Sequence, residues 1–102
     1  MSNKFSNGLS DSQVERLAIL SEELGEAQQC IGKILRHGYE SYNPISPTGM
    51  TNREELEREV GDITFAIELL TRGVMKDLSK VAIAKRAAEK SVSIERWLHH
   101  QP

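Results

Sequence analysis

The feature that most constrains this sequence is a run of apolar residues, Leu56, Val60, Ile63, Ile67, Leu70 and Val74, spaced alternately by four and by three. That spacing follows the 3.6-residue turn of an α-helix and not the two-residue period of a strand, so it lines one helical face. Thr51 followed by Glu54, just ahead of the run, has the pattern of a capping box, in which hydroxyl and carboxylate satisfy free amides at a helix start. A helix over about 52–72 follows, ended by Gly73.

A second ladder, Leu17, Leu20, Leu24, Ala27, Ile31 and Ile34, steps by threes and fours behind another capping box, Ser10 with Gln13. It predicts a helix over about 11–36, before Gly38. Between the two helices, residues 37–51 hold two of the three prolines and read as a loop. Asp77 is placed to cap a third helix over about 77–99, with the stripe Ile83, Ala87, Ile94 and Trp97 and with Lys90 in register. Residues 1–9 are expected to be flexible. The fold class is therefore all-α, a single domain over 1–102 built as a bundle of three main helices.

With aromatic residues at 5%, the core must be aliphatic. After Asp62 the second helix reads Ile-Thr-Phe-Ala-Ile-Glu-Leu-Leu, an apolar surface wide enough to need cover on two sides. Copies are thus expected to associate as a homodimer or homotetramer, completing a four-helix-type bundle. A formal charge of -2 and a pI near 5.9 argue against a nucleic-acid partner, which calls for a basic face. Cys30 is the only cysteine, so no intramolecular disulfide can form and a reducing, cytoplasmic setting is expected. No apolar run reaches the roughly 18 residues of a membrane span, and Met1 to Ser10 lacks the apolar centre of a signal peptide. The expectation is a protein that neither spans a membrane nor is exported.

The chemistry lies in carboxylates. Glu23 and Glu26 each precede a ladder residue by one position, and Glu59 and Asp62 do the same on the second helix. Residues three apart share a face, so each pair can aim at a common point, on lines that continue through Ile19 and Cys30 or through Ala66 and Leu69. Acidic helices are commonly solvated faces, and Glu54 with Arg58 fits that pattern. Glu55 with Glu59 does not, because like charges four apart repel. Four anions converging on a partly dry bundle call for a cation. All-oxygen ligands select Mg²⁺, Mn²⁺ or Ca²⁺ over zinc or copper, with Mg²⁺ the default and Mn²⁺ a substitute.

Glu22-Glu23-Leu24-Gly25-Glu26 followed by Glu59-Val60-Gly61-Asp62 resembles the EExxE and ExxD motifs of the MazG-like nucleotide pyrophosphohydrolases, all-α enzymes. The resemblance runs from about Val14 to Leu70, and Lys33-Ile-Leu-Arg-His-Gly-Tyr and Asn52-Arg53 look like segments of small phage-type and bacterial members. A gap of 32 residues between Glu26 and Glu59 is longer than in many compact relatives. The resemblance implies hydrolysis of a nucleoside triphosphate to monophosphate and pyrophosphate, with Mg²⁺ on Glu23, Glu26, Glu59 and Asp62. Glu22 is a candidate base, although it points about 100° away from Glu23 on a helix. Lys33, Arg36, His37 and Lys90 are candidates to grip the phosphates or nucleotide. The alternative function is a non-catalytic helical oligomerisation or regulatory module, with the acidic cluster as its solvated rim.

Overall fold

The computed structural model describes residues 6–73, 75 and 77–102. The chain forms α1, Asp11–His37, α2, Asn52–Thr71, and α3, Lys80–Ser93, followed by a 3-10 turn at Glu95–Trp97. Among the described residues there is no strand, only an isolated antiparallel bridge between Tyr42 and Thr51. The all-α class expected from the periodicity is the class the chain adopts. Val74, the last rung of the second ladder, and residues 1–5 of the expected flexible start lie outside the described residues.

Both capping boxes form. At α1 the Gln13 N–H donates to Ser10 Oγ at 3.1 Å and the Ser10 N–H to Gln13 Oε1 at 2.9 Å. At α2 the Glu54 N–H donates to Thr51 Oγ1 and the Thr51 N–H to Glu54 Oε1, both at 3.1 Å. Glu54 thereby turns back to the helix start, which takes it away from the expected pairing with Arg58. Its carboxyl is held below the usual glutamate range by the Thr51 backbone and hydroxyl hydrogen bonds. At the far end of α2 the carbonyls of Leu69 and Arg72, which have no helical partner, accept from the Arg16 guanidinium of α1. Gly73, at φ 72, turns the chain beneath that guanidinium.

The third helix is shorter than the expected 77–99. Ser79, not Asp77, caps it, accepting from the Ala82 N–H at 3.0 Å. It stops at Ser93 because Ser91 and Ser93 donate their hydroxyls back to the carbonyls of Ala88 and Lys90, the competition by which serine loosens a helix end.

α1 and α2 pack antiparallel and account for nearly all packing between elements. Among the described residues the buried apolar positions are Ala27, Cys30 and Ala66. Cys30 and Ala66 lie on the carboxylate lines and not on the ladders, so the seam is rotated one residue from the ladder faces. Small side chains at the contact let two helices approach, while the larger rungs Leu24, Ile31, Val60 and Ile67 remain 47–54% exposed at its margins. No residue of α3 is buried. The radius of gyration is 18.0 Å, against about 13 Å for a compact chain of this length. The accessible surface is 8471 Å², against roughly 5,800 Å² for a closed monomer of this mass.

Candidate metal centre and adjoining cavities

The antiparallel register decides which side chains meet across the seam. Arg16 of α1 reaches Leu69 at the end of α2, and Lys33 of α1 meets Glu55 near its start. Glu23 and Glu26 therefore face Asp62 and Glu59 midway. Each of these four carboxylates offers an oxygen, and the four atoms lie within 4.8 Å of one another. Opposite ligands of an octahedral Mg²⁺ stand about 4.2 Å apart at a bond length near 2.1 Å. The cluster is thus close to the span such an ion sets.

The electrostatics point the same way. Glu23 Oε2 and Glu59 Oε2 are hidden from solvent without a hydrogen-bond partner. A buried carboxylate oxygen left without a donor is costly, and a cation is the group that relieves it. Burial, then the charges of Glu26, Asp62, Glu59 and Glu22, push the Glu23 carboxyl above the usual glutamate range. Glu59 is raised by burial and then by Glu26 and Asp62, with Arg58 pulling against them. Such a site favours positive charge, whether protons or a divalent ion.

One hollow adjoins the cluster and a second lies beyond it along α1. The nearer, about 200 Å³, is walled by Glu26 and Glu59 together with Lys33, Arg58, Glu55 and Met50. The larger, about 430 Å³, lies at the C-terminal end of α1, between Lys33, Arg36 and His37 on one side and Tyr42, Asn43 and Asn52 on the other. Lys33 and Glu55, 3.7 Å apart, belong to both walls.

The loop beside the larger hollow is pinned to the start of α2. The Asn52 N–H donates to Ser41 O at 2.7 Å and the Arg53 N–H to Tyr39 O at 2.8 Å. Asn52 Nδ2 donates to Gly38 O at 2.9 Å, and Arg53 Nε to Glu40 Oε1 at 2.6 Å. Cys30 packs beneath, its thiol donating to Asn52 O and raised by burial and by Glu55 and Glu59. The thiol is disfavoured as a thiolate nucleophile there.

Of the residues singled out by sequence, Glu23, Glu26, Glu59 and Asp62 come together. Lys33, Arg36 and His37 line the hollows. Glu22 is exposed and outside the four-carboxylate group. Lys90 is exposed on α3 and lines neither hollow. Gly25 and Gly61, one in each carboxylate segment, face open space, with nothing within 4 Å of an added Cβ. Sequence reasoning missed Glu55 as the partner of Lys33 and Arg58 beside the carboxylates. The signal for Glu55 was available, since it sits one turn before Glu59 on the same face. Among the described residues no helix is long and apolar enough to cross a membrane. No family model matches this chain, and no curated protein or solved structure matches it either.

Proposed function

We propose that the chain is a Mg²⁺-dependent nucleoside triphosphate pyrophosphohydrolase that releases monophosphate and pyrophosphate, acting in the cytoplasm on nucleotides to be cleared from the pool. The observation that carries this reading is the four-carboxylate cluster with two solvent-hidden, unpartnered oxygens, opening onto a hollow walled by Lys33 and Arg58. The resemblance of both acidic motifs to MazG-like enzymes supplies the reaction.

Glu23, Glu26, Glu59 and Asp62 would hold the ion, with Mn²⁺ as a substitute. When bound, the cation supplies charge neutralisation at phosphate oxygens and a water of lowered pKa. The chain's own groups do the rest. Lys33 and Arg58 offer positive charge at the cluster's edge for phosphate oxygens, and Met50 helps exclude water. Water oxygen attacks the α-phosphorus, the bridge to the β-phosphorus breaks, and pyrophosphate leaves. Glu22, beside the cluster and outside it, is the carboxylate left free to take the water's proton.

The working unit in this reading is a homodimer or homotetramer. An excess of roughly 2,700 Å² over a closed monomer exceeds what a standard interface buries in total. The half-exposed rungs on α1 and α2 and the uncovered α3 supply its apolar part. Association alone would equally suit a non-catalytic oligomerisation module, so activity decides between the two.

The test is pyrophosphate release from a panel of ribo- and deoxyribonucleoside triphosphates with Mg²⁺, for the native chain and Glu59→Gln. The variant should lose at least about 100-fold, more than the loss of a residue supporting a ligand, while keeping its helicity by circular dichroism. A native chain that turns over no nucleotide, or a variant as active as the native chain, would sink the reading.

A further inference from the structure

The larger hollow has a different character from the carboxylate end. It sits between the C-terminus of α1 and the N-terminus of α2, whose opposed dipoles offset one another and give no net pull on phosphates. Lys33, one of its cations, is shared with the hollow at the carboxylates, where it serves the phosphates. What it offers instead is polar and aromatic. Asn52 is only 7% exposed and lines the hollow. Its Nδ2 is committed to Gly38 O, and no donor reaches its Oδ1 among the described residues. Asn43 uses its Oδ1 to hold the Ile45 N–H, which leaves its amide nitrogen as a donor. Tyr42 adds a ring, and Arg36, without an ion-pair partner among the described residues, adds a planar cation.

We infer that this hollow binds the nucleoside half of the substrate, with Tyr42 against the base and Asn52 Oδ1 accepting from one of its N–H groups. The inference rests on the pyrophosphohydrolase reading and deepens it by orienting the nucleotide. Seven residues of α1 separate Glu26 from Lys33, a rise of about 10 Å, the reach of a nucleoside with its first phosphate. Phosphates lie at the carboxylates and the base beneath the 38–51 loop. At about 430 Å³ the hollow is within the range of small-molecule sites, and the hydrogen bonds tying its loop to α2 form it in advance. Arg36 stacks or donates at the base and does not grip the triphosphate tail.

The experiment compares nucleotides with a ligand that has phosphates and no nucleoside. With the native chain, Tyr42→Ala and Tyr42→Phe, measure KM and kcat over the triphosphate panel, and Ki for inorganic tripolyphosphate as a competitor. Tyr42 is 58% exposed, so its truncation should leave the fold intact, checked by circular dichroism. Tyr42→Ala should raise KM by roughly 5- to 100-fold, the range for losing one base-stacking ring, with kcat within about twofold. Tripolyphosphate inhibition should stay unchanged, and Tyr42→Phe should restore KM. If KM and the tripolyphosphate Ki rise together, the hollow holds phosphates and the orientation is reversed. If neither moves, the nucleoside lies elsewhere. A native chain that hydrolyses no nucleotide overturns the parent reading and this one with it, whereas the other two failures leave the parent reading standing.

Discussion

The α1–α2 hairpin and α3 start from similar sequence material and end in different states. Each has a helical apolar stripe and a hydroxyl N-cap. The hairpin gains a seam of small buried residues, the Arg16 clamp and the Lys33–Glu55 pair. α3 has an Arg86–Glu89 pair within itself and buries nothing. Amphipathic periodicity specifies that a helix has an apolar face. What covers the face depends on the length and direction of the connections. The long loop, tied to α2 by backbone bonds, returns α2 along α1. α3 does not pack along either helix. An isolated helix shorter than about 12–15 residues is marginal in water even with good propensity. At 14 residues, α3 needs a covering surface to persist.

Under the proposed association, a second copy supplies that surface, and the sharpest way to break the contrast is a charge on the uncovered helix. Ile83→Glu should remove the burial of one isoleucine, worth about 1.5–3 kcal/mol, and add the cost of a buried anion. Association should weaken by at least about 100-fold, by the conversion of 1.4 kcal/mol per factor of ten. Light scattering at micromolar concentration would read a mass falling toward 11.5 kDa. Far-ultraviolet circular dichroism would lose the share contributed by α3. A native chain that already runs as an 11.5 kDa monomer with full helicity would end the explanation.

A smaller effect separates the two regions by pH. Glu23 and Glu59 bind protons more tightly folded than unfolded, because burial and neighbouring carboxylates raise them. Between the ordinary glutamate value of about 4.3 and those raised values, the native state carries the extra protons, so stability falls as pH rises through that window. Their favourable contribution is complete below the ordinary value and lost above the raised ones. Glu54 acts oppositely, stabilising above the ordinary value and losing that effect as pH drops through its lowered one. In chelator, the hairpin's melting temperature should therefore decline from mildly acidic pH toward pH 8, and millimolar Mg²⁺ should raise it more at pH 8 than at pH 5. Glu59→Gln should melt higher than the native chain in chelator at pH 8. A Mg²⁺ effect that is the same at both pH values would count against cation capture by the cluster.

Much of this was legible beforehand, for identifiable reasons. The caps at Ser10 and Thr51 and the ends at Gly38 and Gly73 depend on local hydrogen bonds and on φ 112 and φ 72, which nearby residues determine. The meeting of Glu23, Glu26, Glu59 and Asp62 was legible because two three-residue spacings on two helices need only an antiparallel return to converge. The rotation of the seam onto Cys30 and Ala66 was not, since it depends on which side chains permit close approach. Nor was the Asn52 hydrogen bond to Gly38 O, which only the closed loop creates.

The smallest test concerns Gly25, a helical glycine with nothing within 4 Å of where a Cβ would sit. In an uncovered helix, glycine to alanine stabilises by roughly 0.5–1 kcal/mol, because alanine loses less backbone entropy on folding. A second helix packed against that face reverses the sign, since the added methyl would push the two apart. Gly25→Ala should therefore stabilise the chain under dilute conditions where it is monomeric and weaken the oligomer at high concentration. Urea unfolding at two protein concentrations separates the cases. Stabilisation of the same size at both would mean that the Gly25 face stays open in the assembled protein, and the covering copy would have to be sought on the Val60 and Ile67 side of α2 and on α3.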